Sequence, residues 1–201
     1  MTADAAARLR AALDVTAVSS SDFDLNPDVV LPETRKLRPA AVLVAVQDGA
    51  QGAELVLTKR ASTLRNHPGQ IAFPGGRQDA EDPDLTATAL REAREEVGLP
   101  PASVDVLGLL PPHETVTGFQ VTPVLAQITA PVAYHPEPGE VAEIFAVPLD
   151  HVLDPGQFRV ERRMWRGTWR NYYIVPWGPY YIWGATARIL RGLAERVSRC
   201  G

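Results

Sequence analysis

Three glutamates lie within five residues of one short segment of the chain: Glu92, Glu95 and Glu96. In a helix, at about 100° per residue, their side chains fall within an arc of roughly 100° that adjoins an apolar arc. Two carboxylates roughly 6 Å apart repel by about 2 to 3 kcal/mol at an effective dielectric constant near 20, and a cation removes this repulsion. Because Mg²⁺ and Mn²⁺ prefer carboxylate oxygens, the spacing predicts a metal site. The alternative is a solvated acidic face of a helix.

A glycine turn, Gly75 and Gly76, lies one short loop before this acidic segment. Glycine lets the backbone come close to a ligand, which favours a site shared by the turn and the helix. The helix is predicted to begin at a cap provided by Asp82 or Asp84 and to end at Gly98 in the left-handed conformation.

The composition is that of an ordinary globular chain, with 201 residues, 45% of them hydrophobic and 22% charged. A formal net charge of −4 gives no general attraction for nucleic acid or anionic membranes, so we expect neither as a partner. The single cysteine, Cys200, excludes an intramolecular disulfide and favours a reducing compartment. No segment approaches the roughly 18 apolar residues of a membrane span, and the sequence therefore predicts a cytoplasmic protein.

The rest of the chain is predicted to be strands and two further helices. A helix-like stripe in residues 1–14 precedes an irregular polar arm, and a stripe over 182–197 predicts a C-terminal helix. The predicted strands cover residues 40–46, 53–60, 104–110, 120–128 and 143–150, and a short apolar segment at 71–73 precedes the glycine turn. A hairpin over 158–177 is predicted to turn near Arg166 and Gly167. Strands that do not alternate regularly with helices indicate a mixed α+β fold.

The segment Arg91–Leu99 resembles the second half of the Nudix box, Arg-Glu-apolar-x-Glu-Glu-x-Gly-apolar, and matches every specified position. The first half departs from the family pattern. Counting six residues on from Gly76 gives Asp82 instead of glutamate, and eight residues instead of seven then separate it from Arg91. The family pattern has a glutamate in its first half. In this chain the role of this early acid falls to Glu81, to Asp82 or to neither residue.

The preceding segment, Leu57–Gly76, resembles the signature of the coenzyme A pyrophosphatase branch of that family, with Val56 in place of the first leucine. The signature reads Leu-Leu-Thr-x-Arg-Ser/Ala, three residues, Arg, three residues, Gly, three residues, Phe-Pro-Gly-Gly. The resemblance covers roughly residues 38–195 and implies a Nudix fold, with a mixed sheet between helices. We therefore expect an N-terminal helix and extended arm over residues 1–36 and a hydrolase domain, including the C-terminal helix, over 37–201. The resemblance also implies hydrolysis of coenzyme A to 3′,5′-ADP and 4′-phosphopantetheine with Mg²⁺ or Mn²⁺.

The resemblance also assigns roles to the residues of the box. Glu92 and Glu96 are implied as metal ligands, and Glu95 as a further ligand or the holder of a metal-bound water. Arg91 is expected to brace a carboxylate. A general base is a separate expectation from the residues: Glu140, on a loop that could swing towards the nucleophile, is the candidate ahead of Glu143, with solvated glutamates as the alternative.

The loop before the glycine turn carries the residues expected to contact the substrate. Arg60, Arg65 and His67 are the candidates for the 3′-phosphate, because arginine forms bidentate bonds to phosphate. Gln70 is the candidate for polar parts of the ligand, which the turn Gly75–Gly76 would also approach. The alternatives are that Arg60 pairs with an acid, that His67 only lies in a turn and that Gln70 caps the loop.

Tryptophan and tyrosine side chains near the hairpin are expected to pack in the core or on a homodimer face, with an adenine platform as the alternative. These residues are Trp165, Trp169, Tyr172, Tyr173, Trp177, Tyr180, Tyr181 and Trp183. Two functional alternatives accompany the coenzyme A hypothesis. One is hydrolysis of another nucleoside diphosphate derivative, such as ADP-ribose, a nucleotide sugar or a dinucleotide, and the other is a non-catalytic nucleotide-binding module.

Overall fold

The computed structural model of the chain describes residues 3–16, 18–29, 35–165 and 167–200. Its helices are Ala3–Asp14 (α1), Leu85–Val97 (α2), Leu149–Leu153 (α3) and Gly184–Ser198 (α4). Its strands are Ser20–Ser21 (β1), Arg38–Gly49 (β2), Gly52–Arg60 (β3), Ile71–Ala72 (β4), Gly75–Arg77 (β5), Val104–Leu109 (β6), His113–Glu114 (β7), Phe119–Ile128 (β8), Val141–Pro148 (β9), Arg159–Trp165 (β10) and Thr168–Ile174 (β11). No helix in these ranges is long and apolar enough to cross a membrane.

Strand β2 lies inside a mixed sheet formed by β1 to β9. Along one edge β2 pairs in parallel with β8. Its other edge is divided, because the first half pairs with β5 and the second half with β3, both antiparallel. The glycine turn of β5 is therefore held in the sheet by main-chain hydrogen bonds instead of lying on a free loop.

Alternate residues of β2 enter two separate cores, as the period of two in a strand requires. Ala41, Leu43 and Ala45 pack on the side of α2. Ala40, Val44 and Val46 pack on the side of the other helices. The sheet is therefore covered by helices on both faces, and the predicted α+β architecture with a mixed sheet and a C-terminal helix is confirmed.

Helix α1 packs against α4 and shares its core through Ala5, Leu9 and Ala12. The arm that follows is also paired, because β1 runs parallel to β7. There the hydroxyl of Ser20 lies 2.9 Å from Nδ1 of His113, whose side chain is fully buried. The N-terminal segment thus contributes to the same body, and the domain boundary at residue 36 stays a prediction.

The C-terminal hairpin is formed by β10 and β11, and Gly167 adopts a positive φ of 79° at its turn. Arg166, the other residue predicted at this turn, lies outside the described residues. Some of the nearby aromatic side chains pack on one another: Tyr180 stacks on Phe145 with ring centroids 3.6 Å apart, and Tyr172 contacts Trp183 edge-on. These contacts agree with the packing role expected for them.

Candidate active site

Both ends of helix α2 are fixed by local sequence. The carboxylate of Asp84 accepts a hydrogen bond of 2.7 Å from the backbone of Ala87, so Asp84, and not Asp82, is the cap. At the other end Gly98 has a φ of 71° and its N–H donates to the carbonyl of Arg94 at 3.1 Å. The predicted left-handed end at Gly98 is therefore present, as glycine at this position favours.

Gly75 and Gly76 bring the turn of β5 directly against α2. The N–H of Gly75 donates a hydrogen bond of 2.9 Å to Oε2 of Glu96. A Cβ atom on Gly75 would lie 2.4 Å from the carbonyl oxygen of Ala41, and one on Gly76 would lie 2.5 Å from the carboxylate carbon of Glu92. At Gly75 the contact is with backbone, so only glycine fits there, and the structure brings the turn and the helix together as expected.

Glu96 is the most deeply buried acid at this junction, with 4% of its surface exposed. The cation beside it is Arg60, whose Nη1 lies 4.0 Å from Oε1. Burial raises the pKa of Glu96 to about 7, against the hydrogen bond from Gly75. The negative charges of Glu92 and Glu140 add to the increase, and Arg60 opposes it. The folded chain thus leaves negative charge here that its own cations do not neutralise.

Glu92 lies one turn before Glu96, with 17% of its side chain exposed. Burial raises its pKa too, and the hydrogen bond of 2.9 Å from Arg91 opposes the shift. Glu95 lies apart: 60% of its side chain is exposed, and its Oε2 accepts a hydrogen bond of 3.0 Å from Arg91. The structure brings two of the three acids together, because Glu95 lies about 100° around the helix from Glu96 and further from the core.

The two acids do not form a complete metal cage. In the part of the chain that the structure describes, no three His, Cys, Asp or Glu side chains are arranged to hold one ion. Magnesium is usually bound through one or two carboxylates, with waters and substrate phosphates as the other ligands. The two carboxylates of Glu92 and Glu96 match this usual number of protein ligands.

Arg91 connects the acids around the site. Its guanidinium donates two hydrogen bonds of 2.9 Å to Asp82 and others to Glu92 and Glu95. The hydrogen bond from Arg91 holds the pKa of Asp82 well below its usual range, and Asp82 in turn raises the pKa of Arg91. Of the two candidates for the early acid, Asp82 reaches the site, whereas Glu81 is exposed. The expected bracing role of Arg91 matches this geometry.

Two residues that the sequence analysis did not select hold Asp82 in place. The hydroxyl of Thr88 donates to its Oδ2 at 3.0 Å, and the N–H of Asp79 donates to the same atom at 3.0 Å. Thr88 lies three residues before Arg91, on the same side of α2, and this spacing was the signal that could have identified it.

We expect Arg91→Met to lower the free energy of unfolding by about 2 kcal/mol, because Asp82 would keep its charge without its hydrogen-bond partner. Arg91→Lys restores the charge but not the two parallel bonds, so its stability should lie between those of the wild type and Arg91→Met. Urea denaturation at neutral pH measures the difference. Arg94→Met, at an exposed position of the same helix, is the control; an equal loss in both methionine variants would contradict the bracing role.

The segment 135–140 runs beside the C-terminal end of α2. The N–H of Glu137 donates to the carbonyl of Glu96 at 2.9 Å, and the carbonyl of Glu140 accepts from Ala61 at 2.8 Å. These main-chain bonds bring the exposed Glu140 close enough for its charge to raise the pKa of both buried acids. The structure thus places the candidate base next to the acidic pair.

The loop expected to bind substrate is closed at its base by main-chain hydrogen bonds. Arg60 donates to the carbonyl of Gln70 at 2.9 Å, and Gln70 donates to the carbonyl of His67 at 3.2 Å. Arg60 lies beside Glu96, which agrees with the alternative interpretation that Arg60 pairs with an acid. Arg65 and His67 are exposed, and His67 adopts a positive φ of 54° in a turn. The structure does not place Arg65 or His67 against the two acids.

In a comparison with protein-family models, the NUDIX domain matches residues 36–166 of the chain. The chain belongs to the Nudix family. The family predicted from the acidic motif is thereby confirmed, and the coenzyme A branch stays a prediction.

Relatives of this Nudix chain include one from Citrobacter koseri, named uncharacterized Nudix hydrolase NudL. It is 45% identical over 177 residues, which are 88% of this chain and 92% of the relative. The NudL of Cronobacter sakazakii is 48% identical over 160 residues, 80% of this chain and 83% of the relative. Among solved structures, the MutT protein of Methanosarcina mazei has a TM-score of 0.53 at 19% identity. The match covers 84% of this chain and 97% of the MutT chain. This last likeness supports the fold alone.

The donors of this Nudix site fit a hard divalent cation, and Nudix hydrolases typically use one. Glu92 and Glu96 offer carboxylate oxygens, the ligands that such ions prefer. Burial raises the pKa of both acids, so a cation placed between them would offset the cost of their desolvation and their mutual repulsion.

Proposed function

We propose that this Nudix hydrolase cleaves the diphosphate of coenzyme A, or of an acyl or oxidised form of it, to 3′,5′-ADP and 4′-phosphopantetheine. The observation that carries the proposal is the pair of acids, the buried Glu96 and the partly buried Glu92, which lie against a glycine turn. The loop that leads into this turn matches the coenzyme A pyrophosphatase signature over Leu57–Gly76. The family membership supports the reaction type, and the signature supports the substrate.

Mg²⁺ or Mn²⁺ would be held by Glu92 and Glu96, with Glu95 as a further ligand once it leaves Arg91. When bound, the ion neutralises the charge of the diphosphate and acidifies a water molecule. Arg91 keeps the acids in position through Asp82, and the N–H of Gly75 fixes the orientation of the Glu96 carboxylate.

The cations of the substrate loop have separate roles in this proposal. Arg60, beside Glu96, faces the diphosphate end of the substrate. Arg65 is exposed and has no acidic partner among the described residues, which leaves its guanidinium available for the 3′-phosphate. His67 and Gln70 are proposed contacts to the polar parts of the nucleotide.

Hydrolysis forms one bond from a water oxygen to phosphorus, breaks one bond from phosphorus to the bridging oxygen, and transfers the water proton to a base. We assign the base to Glu140, which is exposed beside the acidic pair. Glu143 is less suited, because its carboxylate already accepts a hydrogen bond of 2.5 Å from the hydroxyl of Tyr180. Glu140→Gln should therefore lower kcat by about 10²-fold or more, and Glu143→Gln should leave it much less affected.

Product analysis by liquid chromatography and mass spectrometry tests the proposal directly. With Mg²⁺ or Mn²⁺, the protein should release 3′,5′-ADP from coenzyme A, and a chelator should stop the release. A parallel panel contains acetyl-coenzyme A, ADP-ribose, a nucleotide sugar and a diadenosine polyphosphate. Consumption of one of the last three with coenzyme A left intact would refute the substrate assignment, and nucleotide binding without turnover would refute the catalytic one.

In the metal-free protein we expect stability to fall as the pH rises from about 4.5 to about 7. An unfolded glutamate loses its proton near pH 4.5, but burial keeps Glu96 protonated until its pKa of about 7. In that window the folded state binds more protons than the unfolded state, so the free energy of unfolding decreases with pH, by about 3 kcal/mol in total.

Calorimetric melting at several pH values measures this dependence. Mn²⁺ added between about pH 6 and pH 7 should raise Tm and release protons, because the ion binds the charged form of Glu96, which is still largely protonated in the metal-free protein at that pH. Glu96→Gln should flatten the profile through this range. An identical profile in the wild type and the variant would contradict the assignment of the titration to Glu96.

A further inference from the structure

A cavity of about 310 Å³ opens on the opposite side of the sheet from α2. One wall is a face of α4 that includes Ile189 and Leu193, residues of the core formed by α1, α3 and α4. The facing wall contains Leu110, Pro111 and Pro123. The volume lies at the lower end of the range for small-molecule sites. The acids of the proposed active site belong to the other face of the sheet, so this cavity is separate from it.

Arg196 in the cavity wall is buried, with 6% of its surface exposed. Its Nε donates to the carbonyl of Ala12 at 2.6 Å and its Nη2 to the carbonyl of Leu13 at 3.0 Å, which satisfies the last carbonyls of α1. Its Nη1 is also buried and has no hydrogen-bond partner among the residues that the structure describes. Burial lowers the pKa of Arg196, and no carboxylate in the described chain lies within ion-pair distance of it. A buried cation with a free donor is costly without an anion.

The other charges at the cavity leave a positive excess. Arg188 is paired with Asp24 at 2.8 Å. Glu195 is paired at 2.7 Å with Arg191, which is not part of the cavity lining. Arg199, also in the lining, is exposed and has no acidic partner among the described residues. The unbalanced charge therefore belongs to the two arginines at the C-terminal end of α4.

The remaining space beside these arginines is apolar and unfilled. Gly192 lies between the cationic end of α4 and Arg188, and a Cβ atom there would contact only Nη1 of Arg188, at 3.7 Å. Val18, whose side chain is 88% exposed, adds a further apolar surface to the lining. An apolar chain entering this space would remove hydrophobic surface from water.

We propose that this cavity binds a small organic anion consisting of a carboxylate on an apolar stem. The carboxylate pairs with the guanidinium groups of Arg196 and Arg199, and the stem packs against Ile189, Leu193 and Leu110. The two guanidinium groups attract the carboxylate, and the apolar lining accommodates a stem that inorganic phosphate lacks. Because Arg196 also holds the end of α1, the bound anion secures α1 on α4.

Isothermal titration calorimetry with octanoate tests the proposal on the full chain. Octanoate should bind the wild type at least tenfold more tightly than octanol, which has the same stem without the charge, and inorganic phosphate should not compete with it. Arg196→Met should weaken octanoate binding at least tenfold. Arg8→Met, which removes a cation of α1 that is paired with Asp150 outside the cavity, should leave the binding unchanged.

A second variant covers the case in which Arg196→Met fails to fold. Gly192→Leu fills the cavity with a side chain and improves helix propensity, so it should fold normally, retain nucleotide hydrolysis and lose octanoate binding. Equal affinity for octanoate and octanol, displacement of octanoate by phosphate, or unchanged binding in Gly192→Leu would each overturn the proposal.

Discussion

Glu96→Gln is expected to lower kcat by about 10³-fold, which corresponds to the several kcal/mol that a bound metal ion contributes to a phosphoryl-transfer transition state. The amide keeps an acceptor for the N–H of Gly75, so the fold should survive. It cannot carry the negative charge that the proposed ion requires. The same substitution removes the charge that burial disfavours, because the pKa of Glu96 is raised to about 7. We therefore expect the metal-free variant to be more stable than the wild type at pH 8, by about 2 kcal/mol.

The combination of lower activity and higher stability distinguishes a functional acid from a structural one. Initial rates with saturating Mg²⁺ and urea denaturation in the presence of a chelator provide the two readouts. Glu81→Gln, at an exposed glutamate outside the acidic pair, should change neither quantity. If Glu96→Gln retained more than a tenth of the wild-type rate, or if it were strongly destabilised, the role assigned to Glu96 would be wrong.

Gly75→Ala is expected to cost about 3 kcal/mol of stability. The added Cβ would lie 2.4 Å from the carbonyl oxygen of Ala41 and 2.6 Å from Cα of Val42, both backbone atoms of β2 that cannot move alone. Gly75 also has a φ of 155°, within the range that favours glycine. Overpacking and backbone strain each contribute about 1 to 3 kcal/mol in such positions. The hydrogen bond from this N–H to Glu96 would be displaced with the strand.

Gly76→Ala is the matched comparison for this prediction. Its Cβ would meet the carboxylate of Glu92, 2.5 Å from the carboxylate carbon, which lies at the end of a flexible side chain. We expect a stability loss below about 1 kcal/mol and a fall in activity of about 10- to 100-fold, because a proposed metal ligand is displaced. Urea midpoints and rates measured below both unfolding transitions separate the two effects. Equal stabilities of the two alanine variants would contradict the distinction between backbone and side-chain contact.

The local parts of the fold were readable from residue order. The continuous apolar run at 40–46 predicted a buried strand, and its residues do enter the cores on both faces of the sheet. Gly98 predicted the end of α2, and Arg91–Leu99 matched a family motif whose membership is now shown. These predictions succeed because each depends on neighbouring residues or on a fixed pattern. The cap at the start of α2 had two candidates, and only the side-chain geometry of Asp84 separated them.

The sequence by itself determined the family, the fold class and the acidic segment of α2. Only the tertiary structure decided which acids face each other: Glu96 is buried by the glycine turn, Glu95 stays outside and Asp82 reaches Arg91. It also decided that segment 135–140 lies beside α2 and that Arg196 has a buried donor with no partner in the described part of the chain. The physical reason is that burial and charge interactions depend on distances between residues far apart in the chain, and residue order does not contain those distances.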